Sequence, residues 1–168
     1  MDINYIKILF FDSSAILSWF LEQDGASVME DIFHRQLRDP MWSLNISDTV
    51  KEEVNHKLKI HCVYNLPRYN KFQGYLESFY HAGNISRNEG VVEECKSELI
   101  KEYEKLGRKN NSQDLSILSE FISYLGFFAG PSHPILISCD NMMNEIGSKV
   151  GYRVFDPRKQ KMQEIEAF

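Results

Sequence analysis

A chain of 168 residues, 43% hydrophobic and 26% charged, is long enough to bury a substantial core, and its composition excludes a disordered protein. The net charge of −5 at pH 7 argues against a protein that coats nucleic acid non-specifically, although it permits a nuclease with a local basic rim. No apolar run approaches the roughly 20 residues of a membrane span, and three cysteines far apart in the chain favour a reducing, cytoplasmic setting over a disulfide framework or a zinc knuckle.

The first part of the chain alternates apolar runs with apolar stripes at helical spacing. Continuous apolar runs are typical of buried strands, whereas stripes with a period near 3.6 residues predict helices. Turn dipeptides such as Asp24-Gly25 and Asp39-Pro40 separate the two kinds of segment. In order, we predict a strand at 6–11, a helix at 13–22, a helix at 26–38, a strand at 41–46 and a helix that begins after Ser47 or Asp48.

The middle of the chain, about 65–111, is predicted to be entirely helical. Its two helices start at Leu66 and Glu89, and the first is expected to end at Gly83-Asn84. The remaining predicted elements are a helix at 112–125, a loop at 127–134, a strand at 135–138, a helix at 141–150, a strand at 152–155 and a polar tail from Arg158.

The alternation of strands and helices predicts a mostly parallel sheet with helices on both faces. We therefore expect one α/β domain over 1–168 with a three-layer α/β/α architecture. The helical segment at about 65–111 then resembles an insertion into that architecture.

Asp12 and Asp140 stand at the ends of two predicted buried strands. The carboxyl ends of parallel strands meet at one edge of a sheet, and ligands bind at that edge in open α/β sheets. Taken singly, each Asp could instead cap the helix that follows it. Taken together, two carboxylates at one edge repel each other unless a cation or a proton intervenes.

Asp114 and Glu53 are expected to lie on the inward faces of helices. Asp114 shares a helical stripe with Leu118 and should point toward the sheet edge, although an acid in a first turn also complements the helix dipole. Glu53 falls beside the buried stripe of its helix, whereas Glu52 points away and could close a capping box with Thr49. The alternative for Glu53 is a solvated helix edge.

Five short segments resemble those of PIN-domain nucleases and occur in the same order. Ser138 stands where the family's Thr-x-Asp motif has threonine. Each segment is short, and the resemblance, which spans roughly 6–157, rests on their order and context. The segments are Phe11-Asp12-Ser13-Ser14-Ala15-Ile16-Leu17, Ile46-Ser47 with Val50, Glu53 and Val54, Asp114-Leu115 with Ile117, Leu118 and the closing Leu125-Gly126, Leu136-Ile137-Ser138-Cys139-Asp140, and the last strand with its ending, Gly151-Tyr152-Arg153-Val154-Phe155-Asp156-Pro157.

The resemblance implies metal-dependent hydrolysis of a phosphodiester bond, usually in RNA, with Mg²⁺ or Mn²⁺ as cofactor. Clustered carboxylate oxygens are the ligands that such hard cations take. In this reading Asp12 and Asp140 are the central metal ligands. Asp114 completes the ligand set or holds a second ion, and Glu53 binds metal or orients the attacking water.

Supporting and substrate-binding roles follow from the same resemblance. Ser14 and Ser138 would hydrogen-bond the catalytic carboxylates. Lys105, Arg108 and Lys109 come shortly before Asp114, so we expect them on the rim of the site, where an RNA substrate needs positive charge.

Several alternatives stay open at this point. DNA is an alternative substrate, because attack by water does not require the 2′-hydroxyl group. The chain could instead be a non-catalytic PIN-like module that binds a protein partner, or a toxin held by an antitoxin, and it could form homo-oligomers. The long stretch between Glu53 and Asp114 departs from the compact toxin-type members of the family but not from their fold.

Overall fold

The structure is a computed structural model that describes residues 6–81, 89–109, 111–125 and 134–168. These residues form a five-stranded sheet. Its strands in chain order are β1 (Lys7–Phe11), β2 (Trp42–Ile46), β3 (Tyr80–His81), β4 (Ile135–Ile137) and β5 (Val154–Phe155). In space the order is β3-β2-β1-β4-β5, and every neighbouring pair is parallel.

Eight helices lie between and after these strands in the described part of the chain. Their starts follow ordinary capping chemistry: the Ser47 hydroxyl accepts from the Val50 amide at 3.2 Å, and the Asn65 side chain accepts from the Arg68 amide at 3.1 Å. The helices are α1 (Ser13–Phe20), α2 (Ala26–Arg38), α3 (Asp48–His61), α4 (Leu66–Glu77), α5 (Glu89–Lys105), α6 (Ser112–Leu125), α7 (Asn141–Lys149) and α8 (Met162–Ala167).

The central strand β1 is buried on both faces, which is typical of a parallel sheet covered by helices on each side. Successive side chains of a strand point to opposite faces. The ring of Phe10 packs on Phe121 of α6 at a centroid distance of 5.3 Å, and the ring of Phe11 packs on Phe79, which follows α4, also at 5.3 Å. The predicted three-layer α/β/α architecture is therefore confirmed.

The chain reverses direction across the sheet between β1 and β4. From β1 it builds outward to β2 and β3, and it then returns to place β4 on the other side of β1. Such a reversal opens a crevice at the carboxyl ends of the two strands, where α/β proteins bind ligands. Asp12 follows β1, and Asp140 lies three residues after β4.

Most predicted elements occur close to their expected positions, but two predictions are wrong. The segment 65–111 is not entirely helical, because β3 pairs with β2 inside it. The tail from Arg158 is not simply polar, because it forms α8, whose Ile165 is fully buried. The predicted turn at Gly83-Asn84 and the loop at 127–133 lie outside the described residues.

The described part of the chain contains no helix long and apolar enough to cross a membrane.

Candidate active site

Asp12 is held in a buried cradle of hydroxyl groups at the crevice. It is 2% exposed and caps α1. The Ser138 hydroxyl donates to its Oδ2 atom at 2.9 Å, and the Ser14 hydroxyl makes a very short hydrogen bond to the same oxygen. The Ser13 hydroxyl lies 3.3 Å from Oδ1. The position and orientation of this carboxylate are thus set by hydrogen bonds from neighbouring side chains.

The same two hydroxyl groups join the ends of β1 and β4. The Ser14 oxygen accepts from the Cys139 amide at 2.9 Å, and the Ser138 oxygen accepts from the Asp140 amide at 3.0 Å. Each hydroxyl therefore donates to Asp12 while it accepts from the loop that carries Asp140. Ser14 and Ser138 occupy the supporting positions that the sequence predicts, although their catalytic role stays a prediction.

Glu53 is connected to Asp12 through the Ser13 hydroxyl. The Ser13 hydroxyl donates to its Oε2 atom at 2.7 Å, a better hydrogen bond than the 3.3 Å contact to Asp12. Glu53 is half-buried and Glu52 is exposed, as the helical stripe of α3 predicts. The alternative capping box is not formed, because Ser47 caps α3 and the Thr49 hydroxyl donates to Glu120 instead.

Asp140 and Asp114 approach from α7 and α6. Asp140 caps α7 by accepting from the Met143 amide at 2.8 Å. Asp114 lies in the first turn of α6 and is half-buried. Burial raises the pKa of the Asp114 carboxyl to about 6, with further contributions from the negative charges of Asp140, Asp12 and Glu53. All four predicted acids are thus close enough to interact electrostatically.

The pKa of Asp12 is also raised from its ordinary value. Burial is the main cause and the charge of Glu53 adds to it, while hydrogen bonds from Ser14 and Ser138 act in the opposite direction. Asp156, another buried acid of this region, behaves differently: burial raises its pKa, but the hydrogen bonds and charge of Arg158, with contacts at 2.7 and 2.9 Å, act together with Lys159 and lower it overall. Neither Asp12 nor Asp114 has a comparable cationic partner among the residues that the structure describes.

The four carboxylates have the chemistry of a site for a hard cation. Oxygen ligands suit Mg²⁺ and Mn²⁺, and a divalent cation would relieve the repulsion that raises the Asp114 pKa. Within the described residues, however, no group of three or more His, Cys, Asp or Glu side chains is arranged to hold a metal ion as it stands. The metal ligands therefore stay predictions.

Tyr103 is a neighbour of the acids that the sequence analysis did not identify. Its side chain is fully buried, and its hydroxyl has no hydrogen-bond partner among the described residues. Burial, together with the negative charges of Asp114, Asp140 and Asp12, raises the pKa of this phenol above its usual range. In the sequence Tyr103 belongs to the apolar stripe of α5, and nothing distinguishes it there from a core residue.

We expect Tyr103→Phe to leave the free energy of unfolding unchanged or to raise it by about 1 kcal/mol, because a buried hydroxyl without a partner is costly. Tyr124→Phe is the matched control, since the buried Tyr124 hydroxyl donates to Asn45 at 3.0 Å, and its loss should cost about 1 kcal/mol. Urea denaturation measures both. Destabilisation of Tyr103→Phe by as much as the control would show that its hydroxyl has a partner in solution.

The predicted basic rim consists of three residues at the end of α5 and directly after it. Lys105 forms an ion pair with Glu102 of its own helix and lines a separate cavity that also contains Tyr152. Arg108 and Lys109 are exposed between α5 and α6, and their role stays a prediction. The cavity beside Ser13, Ser14 and Glu53 is lined by other basic side chains, those of Lys57, His61 and Arg158.

Comparison with known proteins finds similarity at the level of the fold. No protein-family model and no curated protein matches the chain. Three solved structures are similar: VapBC2 from Rickettsia felis bound to a promoter DNA fragment (12% identity, TM-score 0.61), VapBC-1 from nontypeable Haemophilus influenzae (14%, 0.58) and DNA-bound VapBC from Salmonella typhimurium (11%, 0.55). The matches cover 89–90% of this chain and 98–99% of the matching chains.

At this level of identity the similarity concerns the path of the backbone. It spans nearly the full length of the matching chains, despite the long stretch between Glu53 and Asp114. Together with the parallel sheet and the reversal of its strand order beside Asp12, it shows that the chain has a PIN-like fold.

Proposed function

We propose that the protein is a Mg²⁺- or Mn²⁺-dependent endoribonuclease. The observation that carries the proposal is the gathering of four acids at the crevice between β1 and β4, where burial, together with the negative charges of Asp140, Asp12 and Glu53, raises the pKa of Asp114 to about 6. Acids that serve only as helix caps have no reason to be gathered where they repel one another. Strongly perturbed carboxylates in a crevice are typical of functional sites.

The donor set fits a divalent cation held by Asp12, Asp114 and Asp140, with Glu53 at its side. When bound, such a cation would supply an activated water and neutralise charge on the phosphate under attack. The buried Asp12 carboxylate is oriented before any cation binds, because Ser14 and Ser138 both donate to its Oδ2 atom and the Ser13 hydroxyl lies 3.3 Å from Oδ1.

Three serine residues position the acids of the site through different hydrogen bonds. Ser14 and Ser138 fix the Asp12 carboxylate and, through backbone amides, the loop that precedes α7. Ser13 holds Glu53 in an inward position at 2.7 Å. Glu53 is exposed enough to accept a proton from water or to orient it, which is the work of a general base at a phosphodiester.

The test is cleavage of single-stranded and structured RNA by the wild-type protein with Mn²⁺, with Mg²⁺ and with a chelator. Two variants carry the site prediction: Asp140→Asn, which can still cap α7, and Glu53→Gln. Glu52→Gln is the matched control, because Glu52 is exposed one position along the same helix. A single-stranded DNA of the same sequence tests the alternative substrate.

We expect cation-dependent cleavage that falls at least about tenfold in Glu53→Gln and about a hundredfold in Asp140→Asn, and that is unchanged in Glu52→Gln. Cleavage that survives the chelator, or that is equal in the wild type and both site variants, would contradict the proposal. Preferential cleavage of DNA would support metal-dependent hydrolysis of a phosphodiester bond and would identify DNA rather than RNA as the substrate.

A second proposal concerns a protein partner, such as an antitoxin. The turn between α3 and α4 exposes large apolar side chains, with Tyr64 99%, Leu66 67% and Val63 66% exposed. Exposed apolar clusters mark protein-binding surfaces, and the three similar structures named above are of VapBC complexes.

Co-expression with the product of a neighbouring gene, followed by size-exclusion chromatography of wild type and Tyr64→Ser, tests the proposed protein partner. A wild-type protein that elutes alone would contradict it.

A further inference from the structure

We propose that Lys57 and His61 bind a backbone phosphate of single-stranded RNA adjacent to the bond that is cleaved, within the cavity beside the acids. The proposal rests on the proposed nuclease function and assigns part of its substrate path. The cavity has a volume of about 610 Å³ and contains Ser13, Ser14 and Glu53 in its wall. It reaches the acidic site through Glu53 and through Ser13 and Ser14, which contact Asp12, and its volume falls in the size range of ligand-binding pockets.

The geometry of α3 brings three functional side chains into this cavity. Glu53, Lys57 and His61 are spaced four residues apart, so they lie on one stripe of the helix. All three line the cavity. The stripe begins with the acid that is hydrogen-bonded to Ser13 and continues away from it with two residues that can donate to phosphate oxygens. A strand whose scissile phosphate lies at the acids would therefore pass these residues next.

The charges of the cavity favour Lys57 and His61 as the phosphate-binding pair. Neither forms an ion pair with any residue that the structure describes. Arg158 also lines the cavity, but its guanidinium is engaged by Asp156 at 2.7 and 2.9 Å and by Asn141 at 2.9 Å. An ammonium group without an acidic partner is available to an incoming anion, whereas one already paired is not.

Apolar and neutral side chains complete the lining of the cavity. Leu17 of α1 and Leu21, which follows α1, line it together with Ser14 and Ser18. A lining that combines apolar and basic side chains suits a nucleotide, whose base is flat and apolar on its faces and whose phosphate is charged. Asp24 also lines the cavity, and its negative charge opposes the binding of an anion, so its removal should strengthen binding.

Binding of a fluorescent single-stranded RNA 10-mer, measured by anisotropy in the presence of a chelator, tests the proposal without cleavage. The variants are Lys57→Ala, His61→Ala and Asp24→Asn. Lys59→Ala and His56→Ala are matched controls, because both side chains are exposed on α3 but absent from the cavity wall. Each variant is measured at several salt concentrations, since a lost phosphate contact lowers the dependence of affinity on salt.

We expect Lys57→Ala and His61→Ala each to weaken binding about three- to tenfold. The slope of log affinity against log salt should become shallower by about 0.7 in Lys57→Ala, the value for one phosphate contact on a single strand. Asp24→Asn should bind more tightly than wild type, and both controls should bind as wild type does. Circular dichroism confirms that each variant is folded.

Equal binding by Lys57→Ala, His61→Ala and their controls would overturn the proposal, as would an unchanged salt slope in Lys57→Ala. That result is distinguishable from failure of the proposed function. If the cavity residues have no effect while Asp140→Asn abolishes cleavage, the nuclease stands and its substrate takes another path. If no cleavage occurs but Lys57 and His61 still determine RNA binding, the binding site stands without the chemistry.

Discussion

Asp12→Asn should lower metal-dependent cleavage of RNA at least about a hundredfold while it leaves the protein folded. Asp12 is the most buried of the four acids, and its carboxylate is the one that Ser13, Ser14 and Ser138 all contact. Asparagine removes the negative charge and one of the two oxygens that could bind a cation. The substitution therefore affects cation binding more directly than any other single change in the site.

The cradle of Asp12 offers hydrogen-bond partners for the amide oxygen of asparagine and for one of its two N–H groups. The amide oxygen can take the place of Oδ2, to which Ser14 and Ser138 donate, and the amide nitrogen can face the Ser13 oxygen, which continues to donate to Glu53. Asparagine is also a good helix N-cap. Burial of Asp12 raises its pKa and disfavours its charged form. Loss of that charge should therefore either raise the free energy of unfolding or lower it by no more than about 1 kcal/mol.

Three measurements decide this prediction together: the cleavage rate at saturating Mn²⁺, the Mn²⁺ affinity by calorimetry, and urea denaturation. Asp31→Asn is the matched control, since Asp31 is exposed on α2 far along the chain from the site. A stable Asp12→Asn protein that cleaves RNA at the wild-type rate would remove Asp12 from the catalytic machinery. A variant that unfolds would instead show that the charge itself holds the ends of β1 and β4 together.

The sheet was predictable because its strands carry an unambiguous local signal. β1 is an unbroken apolar run that ends in Asp12, and a run of that kind is stable only when both of its faces are buried. The position of Asp12 then follows from the direction of the strand. Asp140 follows from the same argument applied to β4. The pairing of β4 with β1 is a long-range contact, however, and only the fold establishes it.

Two elements were missed because their signals are not local. β3 has two residues, and its backbone is in a strand only because it pairs with Asn45 and Ile46 at the end of β2. α8 lies in a sequence of mostly polar residues, and the single apolar anchor Ile165 is insufficient to establish an amphipathic stripe. In both cases tertiary contacts decide the conformation and intrinsic propensity does not.

The residues around the acids also show that contacts between distant parts of the chain are hard to predict from sequence. Lys57 and His61 could have been found, because they continue the helical stripe of Glu53 at intervals of four residues. Tyr103 could not, since its distance from Asp114 depends on how α5 packs against α6. Lys105 was expected near Asp114 from its closeness in sequence; its side chain lines a separate cavity, and its place on the rim of the acidic site stays a prediction.

Asp114→Asn should stabilise the metal-free protein at pH 7 by about 1–2 kcal/mol and should remove much of the pH dependence of its stability. The pKa of Asp114 is about 6 in the folded protein, against an ordinary value of 3.8. Because the folded-state pKa is raised, ionisation favours the unfolded state. The stability of the wild type should therefore fall as pH rises from about 4 to 6 and level off above it. The full shift corresponds to about 3 kcal/mol, which the partial exposure of Asp114 reduces.

Urea denaturation in a chelator at pH 4.5, 5.5, 6.5 and 7.5 measures this dependence for wild type, Asp114→Asn and the control Asp31→Asn. The buried Asp12 has a raised pKa as well, so a residual slope of the same sign should persist in Asp114→Asn. Asp156, with its lowered pKa, acts at lower pH and in the opposite direction. A wild-type stability that is flat or rises between pH 4.5 and 6.5 would contradict the raised pKa of Asp114.

A bound cation should reverse the sign of this dependence, and that reversal separates a metal site from a group of acids that merely repel one another. The cation binds the ionised carboxylates, so Mn²⁺ should stabilise the wild type increasingly as pH rises through about 6. At a hundredfold excess of Mn²⁺ over its dissociation constant the gain is about 2.7 kcal/mol. Asp114→Asn should lose most of that gain and keep its higher metal-free stability. An equal gain in Asp114→Asn and in the wild type would remove Asp114 from the metal ligands, even if the wild type is a nuclease.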